Sequence, residues 1–139
     1  MEKEWIYYFK NGERYEGDCR NGKKEGKGIY YFNDGDRYDG DWRNGKKEGK
    51  GIYYYNNGPW KGDRYEGDWR NDKKEGKGIY YFNNGNRYEG DCRNNKREGK
   101  GIMYYNNGDR EMGDYSKDKK IGKHVTLTVN GETKTNYYN

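Results

Sequence analysis

Aromatic and charged residues alternate along this chain in short runs that return at a nearly fixed interval. In Tyr15-Glu-Gly-Asp-Cys-Arg20, ring or small residues hold the odd positions and charges the even ones, the period of a half-buried β-strand. Asn21-Gly22 follows, a strong hairpin-turn signal. A second strand, Gly26-Lys-Gly-Ile-Tyr-Tyr-Phe32, then ends at Asn33-Asp34-Gly35. No stretch carries an amphipathic helix. Aligned on the glycine two residues after the first tyrosine, the units fall at Gly17, Gly40, Gly67, Gly90 and Gly113, with steps of 23, 27, 23 and 23 residues. The long step holds an insertion, Pro59-Trp60-Lys61-Gly62. A fixed period in the twenties marks a repeat architecture, in which each unit buries its apolar face only by stacking on its neighbours. The pattern predicts an all-β protein, an elongated single-layer antiparallel sheet of tandem β-hairpins, twisted and grooved.

Parity sets an expected register. With Arg20 facing Glu25, Gly17 lies opposite Gly28 and Tyr15 opposite Tyr30. One face then carries Tyr15, Gly17, Cys19, Gly26, Gly28, Tyr30 and Phe32; the other carries Glu16, Asp18, Arg20, Lys27, Ile29 and Tyr31. Asp18 and Lys27 form a cross-strand charge pair. Strand glycines mark places where another group comes close, here rings from adjacent hairpins lying over bare backbone.

Composition alone argues the opposite case: 28% hydrophobic residues, 38% charged and a single leucine, Leu127, are values typical of disorder. Eighteen Tyr, four Trp and three Phe at fixed repeat phases overturn it, because aromatics bury far more area per residue than aliphatics. The resulting core is thin and marginally stable unless a partner adds to it. Cys19 and Cys92 occupy the phase that Trp42 and Trp69 hold elsewhere. Three repeats apart, at two strands each, they lie ~29 Å from one another, beyond the roughly 7 Å a disulfide spans. They read as reduced, buried stand-ins for tryptophan in an intracellular protein. No signal peptide or apolar membrane span is evident, so a soluble cytoplasmic chain is expected.

The run Y-x-G-x-W-x-N-G-K-x-x-G-x-G-x-Y-x-Y resembles the MORN (membrane occupation and recognition nexus) repeat. Full matches begin at Tyr15, Tyr38, Tyr65 and Tyr88; a half unit precedes them (Trp5 to Arg14) and a degraded one follows (Glu111 to His124). The expected organisation is one domain, 1–139: a half repeat or cap over 1–14, full repeats over 15–37, 38–64, 65–87 and 88–110, and a degenerate repeat with a cap over 111–139. The resemblance implies a hairpin ribbon used for binding or scaffolding, with members at cytoskeletal, ciliary or membrane-associated structures. One departure is a second-strand stripe, Ile29/Tyr31, Ile52/Tyr54, Ile79/Tyr81 and Ile102/Tyr104, either an interaction surface or a row covered by Lys and Arg stems.

Past the last repeat, Val125–Val129, Asn130-Gly131 and the following Glu-Thr-Lys-Thr read as a two-residue hairpin that caps the array, or as an edge open to a partner strand or to self-association. The insertion is either a partner contact or a tolerated loop packed on its own sheet. Charge adds one more pattern. Lys23-Lys24, Lys46-Lys47, Lys73-Lys74 and Lys96-Arg97 share one hairpin turn, as does Lys119-Lys120, forming a basic rail at roughly 10 Å spacing. The first eight are candidate contacts to anionic phospholipid, where each cation contributes about 1 kcal/mol. The glutamate after each pair weighs against nucleic acid, and such rows also serve as solvated edges that prevent sheet stacking.

Chemistry is not expected. The single His124 and single Ser116 both fall in the decayed repeat, no Cys/His cluster has metal-ligand spacing, and carboxylates recur identically where a catalytic site needs a break in symmetry. The G-x-G runs open no helix, so no dinucleotide fingerprint exists, and no cofactor is expected. The expected function is a non-catalytic adaptor that binds an extended or helical protein segment along an aromatic groove. The candidate contacts are Tyr15, Tyr30, Phe32, Tyr38, Trp42, Tyr53, Tyr55, Tyr65, Trp69, Tyr80, Phe82, Tyr88 and Tyr105. The rival is a peripheral membrane protein using the turn lysines. A third reading, a secreted wall-binding repeat similar to aromatic-glycine choline- or glucan-binding units, fits the N-G-K-x-x-G-x-G half poorly.

Overall fold

The computed structural model describes the backbone of residues 2–139 and the side chains of residues 5–139. Among these residues lie twelve strands: β1 (Glu2–Tyr8), β2 (Arg14–Arg20), β3 (Lys23–Tyr31), β4 (Arg37–Arg43), β5 (Lys46–Tyr54), β6 (Arg64–Arg70), β7 (Lys73–Tyr81), β8 (Arg87–Arg93), β9 (Lys96–Tyr104), β10 (Arg110–Ser116), β11 (Lys119–Leu127) and β12 (Thr133–Tyr138). They hydrogen-bond in chain order as one open antiparallel sheet. The meander of hairpins expected from the alternation is what forms.

The turn chemistry corrects the register near the hairpin tips. Asn21 and Gly22 both take positive φ (52° and 76°), the two-residue turn whose twist matches the flanking strands. Arg20 therefore pairs with Lys23, and Cys19 with Lys24; Arg20 does not face Glu25. Further in, Gly17 pairs with Gly28 and Tyr15 with Tyr30, as the parity argument requires. A bulge reconciles the two registers, with Gly26 in the left-handed region (φ 80°), a conformation glycine adopts without steric cost. Asp18 closes the bulge by accepting the backbone N–H of Lys27 at 3.3 Å. Asp18 and Lys27 are thus joined through backbone. The Lys27 ammonium pairs instead with Asp41 on β4, and Lys50–Asp68 and Lys77–Asp91 repeat that contact.

The core is a row of tyrosines. Tyr15, Tyr38, Tyr65 and Tyr88 are fully buried, each ring lying on the bare backbone of a glycine in its own hairpin. A Cβ added to Gly28, Gly51 or Gly78 would sit 2.2 Å from the overlying Tyr oxygen. The ring belongs to the same hairpin, not to the adjacent one. Each hydroxyl donates to the aspartate carbonyl three residues on, at 2.6 Å for Tyr15 and 2.9 Å for Tyr38, so the buried phenols stay paired. Trp42 and Trp69 stand edge-on between successive tyrosines and donate their indole N–H to the carbonyls of Gly28 and Gly51 at 3.0 and 3.1 Å.

Both sheet edges are laced from one hairpin to the next. Glu25 accepts the N–H of Asn44, and Glu48, Glu75 and Glu98 repeat this at the following turns. On the opposite edge Asp36 accepts from the Tyr53 hydroxyl (2.9 Å) and the Asn56 N–H (2.8 Å), and Asp63 does the same with Tyr80 and Asn83. The insertion forms a single 3-10 turn, Gly58–Trp60. Its loop still closes with Tyr55 N–H to Asp63 and Gly62 N–H to Tyr55, the bonds that Phe32, Gly35 and Asp36 make in a loop without it. At the C-terminus β11 ends at Leu127, which pairs with Thr133. Thr128 N–H to Glu132 and Gly131 N–H to Thr128 close the turn. It copies the longer inter-hairpin loop rather than a two-residue hairpin, because Gly131 takes the left-handed closing position that Gly35 holds elsewhere.

Gly51→Ala drives a methyl group into the Tyr38 ring and is expected to lower stability by roughly 1–3 kcal/mol in urea unfolding. Gly45→Ala, where an added Cβ meets nothing within 4 Å, bears only its left-handed backbone strain of about 1–2 kcal/mol.

Candidate functional site

One face of the sheet carries a continuous ladder of rings. Trp5, Tyr7, Phe9, Tyr30, Phe32, Tyr53, Tyr55, Tyr80 and Phe82 follow one another with centroids 4.6–5.8 Å apart; Met103 then takes the next ring position, and Tyr105 lies beyond it. These are the second-strand and loop-entry positions of each hairpin, so their spacing follows the strands. From Tyr30 to Tyr105 every ring of this row is half-buried. Their exposed edges are what the face offers a ligand.

The expected contact rings therefore divide by depth. Tyr30, Phe32, Tyr53, Tyr55, Tyr80, Phe82 and Tyr105 reach the surface. Tyr15, Tyr38, Tyr65 and Tyr88 have at most 1% of their surface open, and Trp42 and Trp69 have 5%. These six hold the ladder from beneath.

A row of cations overlies the ladder, hidden in the sequence by the expectation that both bases of each pair lie in the turn. Because the turn has two residues, the second base of each pair swings onto the ring face. Lys24 Nζ lies 5.0 Å from the centroids of Tyr30 and Trp42. Lys47 lies 5.4 Å from Trp69 and Lys74 5.3 Å from Tyr80. Arg97 lies 5.0 Å from Tyr115 and Lys120 5.3 Å from Tyr138. Each such contact is worth ~0.5–2 kcal/mol. Desolvation among the rings holds the ammonium pKa of Lys24, Lys47 and Lys74 below the ordinary value, and the Asp72 charge partly offsets this at Lys24 and Lys47. The expected single rail is thus two rows: Lys23, Lys46, Lys73 and Lys96 are exposed at the turns, while Lys24, Lys47, Lys74 and Arg97 are half-buried on the aromatic face. The signal was present in Asn21-Gly22, a two-residue turn that brings both bases into the strand.

The other face is covered by arginine. The guanidinium carbons of Arg14, Arg37, Arg64 and Arg87 stack 3.9–4.1 Å from the ring centroids of Tyr31, Tyr54, Tyr81 and Tyr104. Arg64 also donates to Glu66 at 2.9 Å. The isoleucine-tyrosine stripe is accordingly half-buried under charged side chains.

The last repeat exchanges the partners of the core contact. Glu111 stands at the tyrosine phase and His124 at the glycine phase opposite. The fully buried imidazole lies over Gly113, where an added Cβ would meet it at 2.3 Å. Its Nε2 is 2.8 Å from the Asp114 carbonyl, the acceptor a tyrosine hydroxyl uses in the other repeats, so Nε2–H donates. Nδ1 is 2.9 Å from one Glu111 oxygen; the other accepts from Tyr105 (2.8 Å) and Lys120 (3.0 Å). Burial raises the Glu111 pKa, but the bonds from Lys120 and Tyr105 outweigh it and hold the carboxyl below its ordinary value.

This is an open ribbon of β-hairpin repeats presenting an aromatic, cation-lined face. The chain belongs to the MORN-repeat family: the family model described as MORN repeat matches residues 15–37, 38–59, 65–87 and 88–110. No curated protein sequence matches it. Among solved structures it is similar to the TCP domain of Drosophila melanogaster SAS-4 (dCPAP), determined in complex with a proline-rich motif of Ana2 (dSTIL). The identity is 17% over 94% of this chain and 76% of that one, with a TM-score of 0.55, a likeness of fold. The TCP10 domain of Danio rerio CPAP aligns over 96% of this chain and 73% of its own at 15% identity, with a TM-score of only 0.32.

The exchange at the last repeat predicts strong coupling. Glu111→Tyr and His124→Gly each destabilise alone, and the double variant rebuilds the tyrosine-on-glycine contact, with a coupling energy of about 1–3 kcal/mol in a double-mutant unfolding cycle. Acid provides a separate check. A depressed carboxyl contributes stability that is full above its ordinary pKa of 4.5 and disappears as pH falls through the folded value. Glu111→Gln should flatten the loss of stability below that pH.

Proposed function

We propose that this chain is a non-catalytic scaffold that takes an extended, proline-bearing and acidic segment of a partner protein along its aromatic face. The observation that carries this reading is the ladder of rings running from Trp5 to Phe82 with a row of desolvated cations above it. Proline-rich segments in the polyproline conformation dock on aromatic-lined grooves, because their fixed backbone loses little entropy on binding. Half-buried tyrosine rings suit that duty, and carboxylates on the segment complement Lys24, Lys47, Lys74 and Arg97. The solved SAS-4 TCP domain, similar in fold, holds a proline-rich motif, which supports the choice. The imidazole of His124 is enclosed and engaged with backbone, in keeping with binding rather than catalysis. By its family resemblance, the place we propose is a cytoskeletal or ciliary structure.

The rival, attachment to anionic phospholipid, rests on the exposed turn lysines alone, since half of the basic pairs face the rings. Selection of random peptides against the purified protein discriminates. Enrichment of proline and acidic residues is expected, with affinity lost in folded Tyr55→Ala or Tyr80→Ala and retained in Lys46→Glu/Lys73→Glu. Sedimentation with phosphatidylserine vesicles that depends on Lys46 and Lys73 but not on Tyr55 or Tyr80 would replace this reading with the lipid one.

A further inference from the structure

The tryptophan phase of the repeat is built as a cage. Trp69 is held by Tyr38, Tyr53 and Tyr65 at centroid distances of 5.2, 6.1 and 5.4 Å, with Lys47 over its ring and the Gly51 carbonyl accepting its N–H. Trp42 has the same surroundings one repeat earlier in Tyr15, Tyr30, Tyr38 and Lys24, with Gly28 as acceptor. One repeat further on, the four wall groups recur as Tyr65, Tyr80, Tyr88 and Lys74, and the acceptor becomes Gly78. The residue between them is Cys92, which fills a fraction of an indole's volume and brings no N–H to the Gly78 carbonyl. All four wall groups and Cys92 line one cavity of about 390 Å³, within the ~300–1,000 Å³ of ordinary ligand sites. Cys19 lies at the start of the array, where Trp5 packs on Tyr15. Tyr115 supplies its own ring 5.1 Å from Tyr88.

The rim adds charge. Lys96 and Arg97 line the mouth beside Lys74, against one carboxylate, Asp118, which is already 3.3 Å from Arg97. Trp60 of the insertion lines it as well and is 60% exposed. Among the described residues, the ring that the repeat places at this phase is missing from one complete cage, this one, and the cations around it are in excess.

We propose that the Cys92 cavity is a binding site for an indole-sized aromatic group bearing a neighbouring carboxylate, supplied as the anchor side chain of the partner segment. The ring enters edge-on between Tyr65 and Tyr88 and its N–H reaches the Gly78 carbonyl. The carboxylate meets Lys74 and the Lys96–Arg97 rim, and Trp60 covers the mouth. The site itself stands on the repeat geometry; its occupation by a partner's anchor rests on the groove reading above.

Indole-3-acetate is a probe that tests the site without the partner. Titrated into ¹⁵N-labelled protein, it is expected to give saturable amide shifts centred on Gly78, Cys92 and Lys74, with a Kd at or below about 1 mM. Cys92→Trp restores the repeat's own residue and should abolish those shifts while keeping a dispersed, folded spectrum. Lys74→Met, a second variant, should remove the preference for indole-3-acetate over neutral indole. In peptides selected on the groove, an anchor tryptophan should lose at least tenfold in affinity on Cys92→Trp. Localised shifts that vanish in Cys92→Trp uphold the site even if no groove peptide is found. No saturable shift, or shifts that persist in Cys92→Trp, overturns it even if peptides bind the rest of the groove.

Discussion

A tyrosine ring laid flat on a glycine is the contact that makes this chain a folded protein. A single-layer sheet has no second layer to bury its face, and with one leucine it has little aliphatic volume. The ring solves both problems locally: it covers the bare backbone of the facing strand, and its hydroxyl satisfies the aspartate carbonyl of its own strand. Glycine is required at the facing position because any Cβ would occupy the ring's place. Tryptophan then bridges one such contact to the next, so the core propagates along the ribbon. In the last repeat, imidazole replaces phenol from the opposite strand and reaches the equivalent carbonyl, which separates the physical requirement, a flat ring with one donor, from the residue that usually meets it.

Charge has a structural task in the same scheme. Three acidic residues of the repeat each accept a backbone N–H: the Y-x-G-D aspartate at the bulge, the glutamate after the basic pair at the next turn, and the loop acid at the next loop. Successive hairpins are thereby fixed at both edges as well as along the ladder. This accounts for a composition that looks disordered yet folds: the charges pair with the backbone of neighbouring repeats. It also leaves the second base of each pair over the rings, where the face gains its positive character.

Much of the architecture was legible because alternation, turn residues and period agreed. Tyr15 against Tyr30 and Gly17 against Gly28 followed from setting Arg20 opposite Glu25, a register that holds in mid-strand. The register at the tips differs, because the bulge at Gly26 shifts the pairing by two residues between it and the turn; Arg20 meets Lys23, and Lys24 enters the strand opposite Cys19 on the ring face. Parity cannot detect a shift of two residues, although a G-x-G run with a preceding aspartate is a recognisable place for one. Depth was the other unreadable quantity. Tyr15 and Tyr30 are both tyrosines on one face, yet only the second keeps an exposed edge, since burial depends on which ring finds a bare glycine beneath it. The Cys92 cavity was visible as a substitution and became a site only when the intact cages around Trp42 and Trp69 gave its walls.

The ring-on-glycine contact has a direct spectroscopic signature. The Hα protons of Gly28, Gly51, Gly78 and Gly101 sit beneath aromatic faces and should resonate well upfield of ordinary strand glycines, with the Gly51 shift returning to normal in Tyr38→Leu. Unshifted Hα resonances at these four glycines in the folded protein would contradict the account.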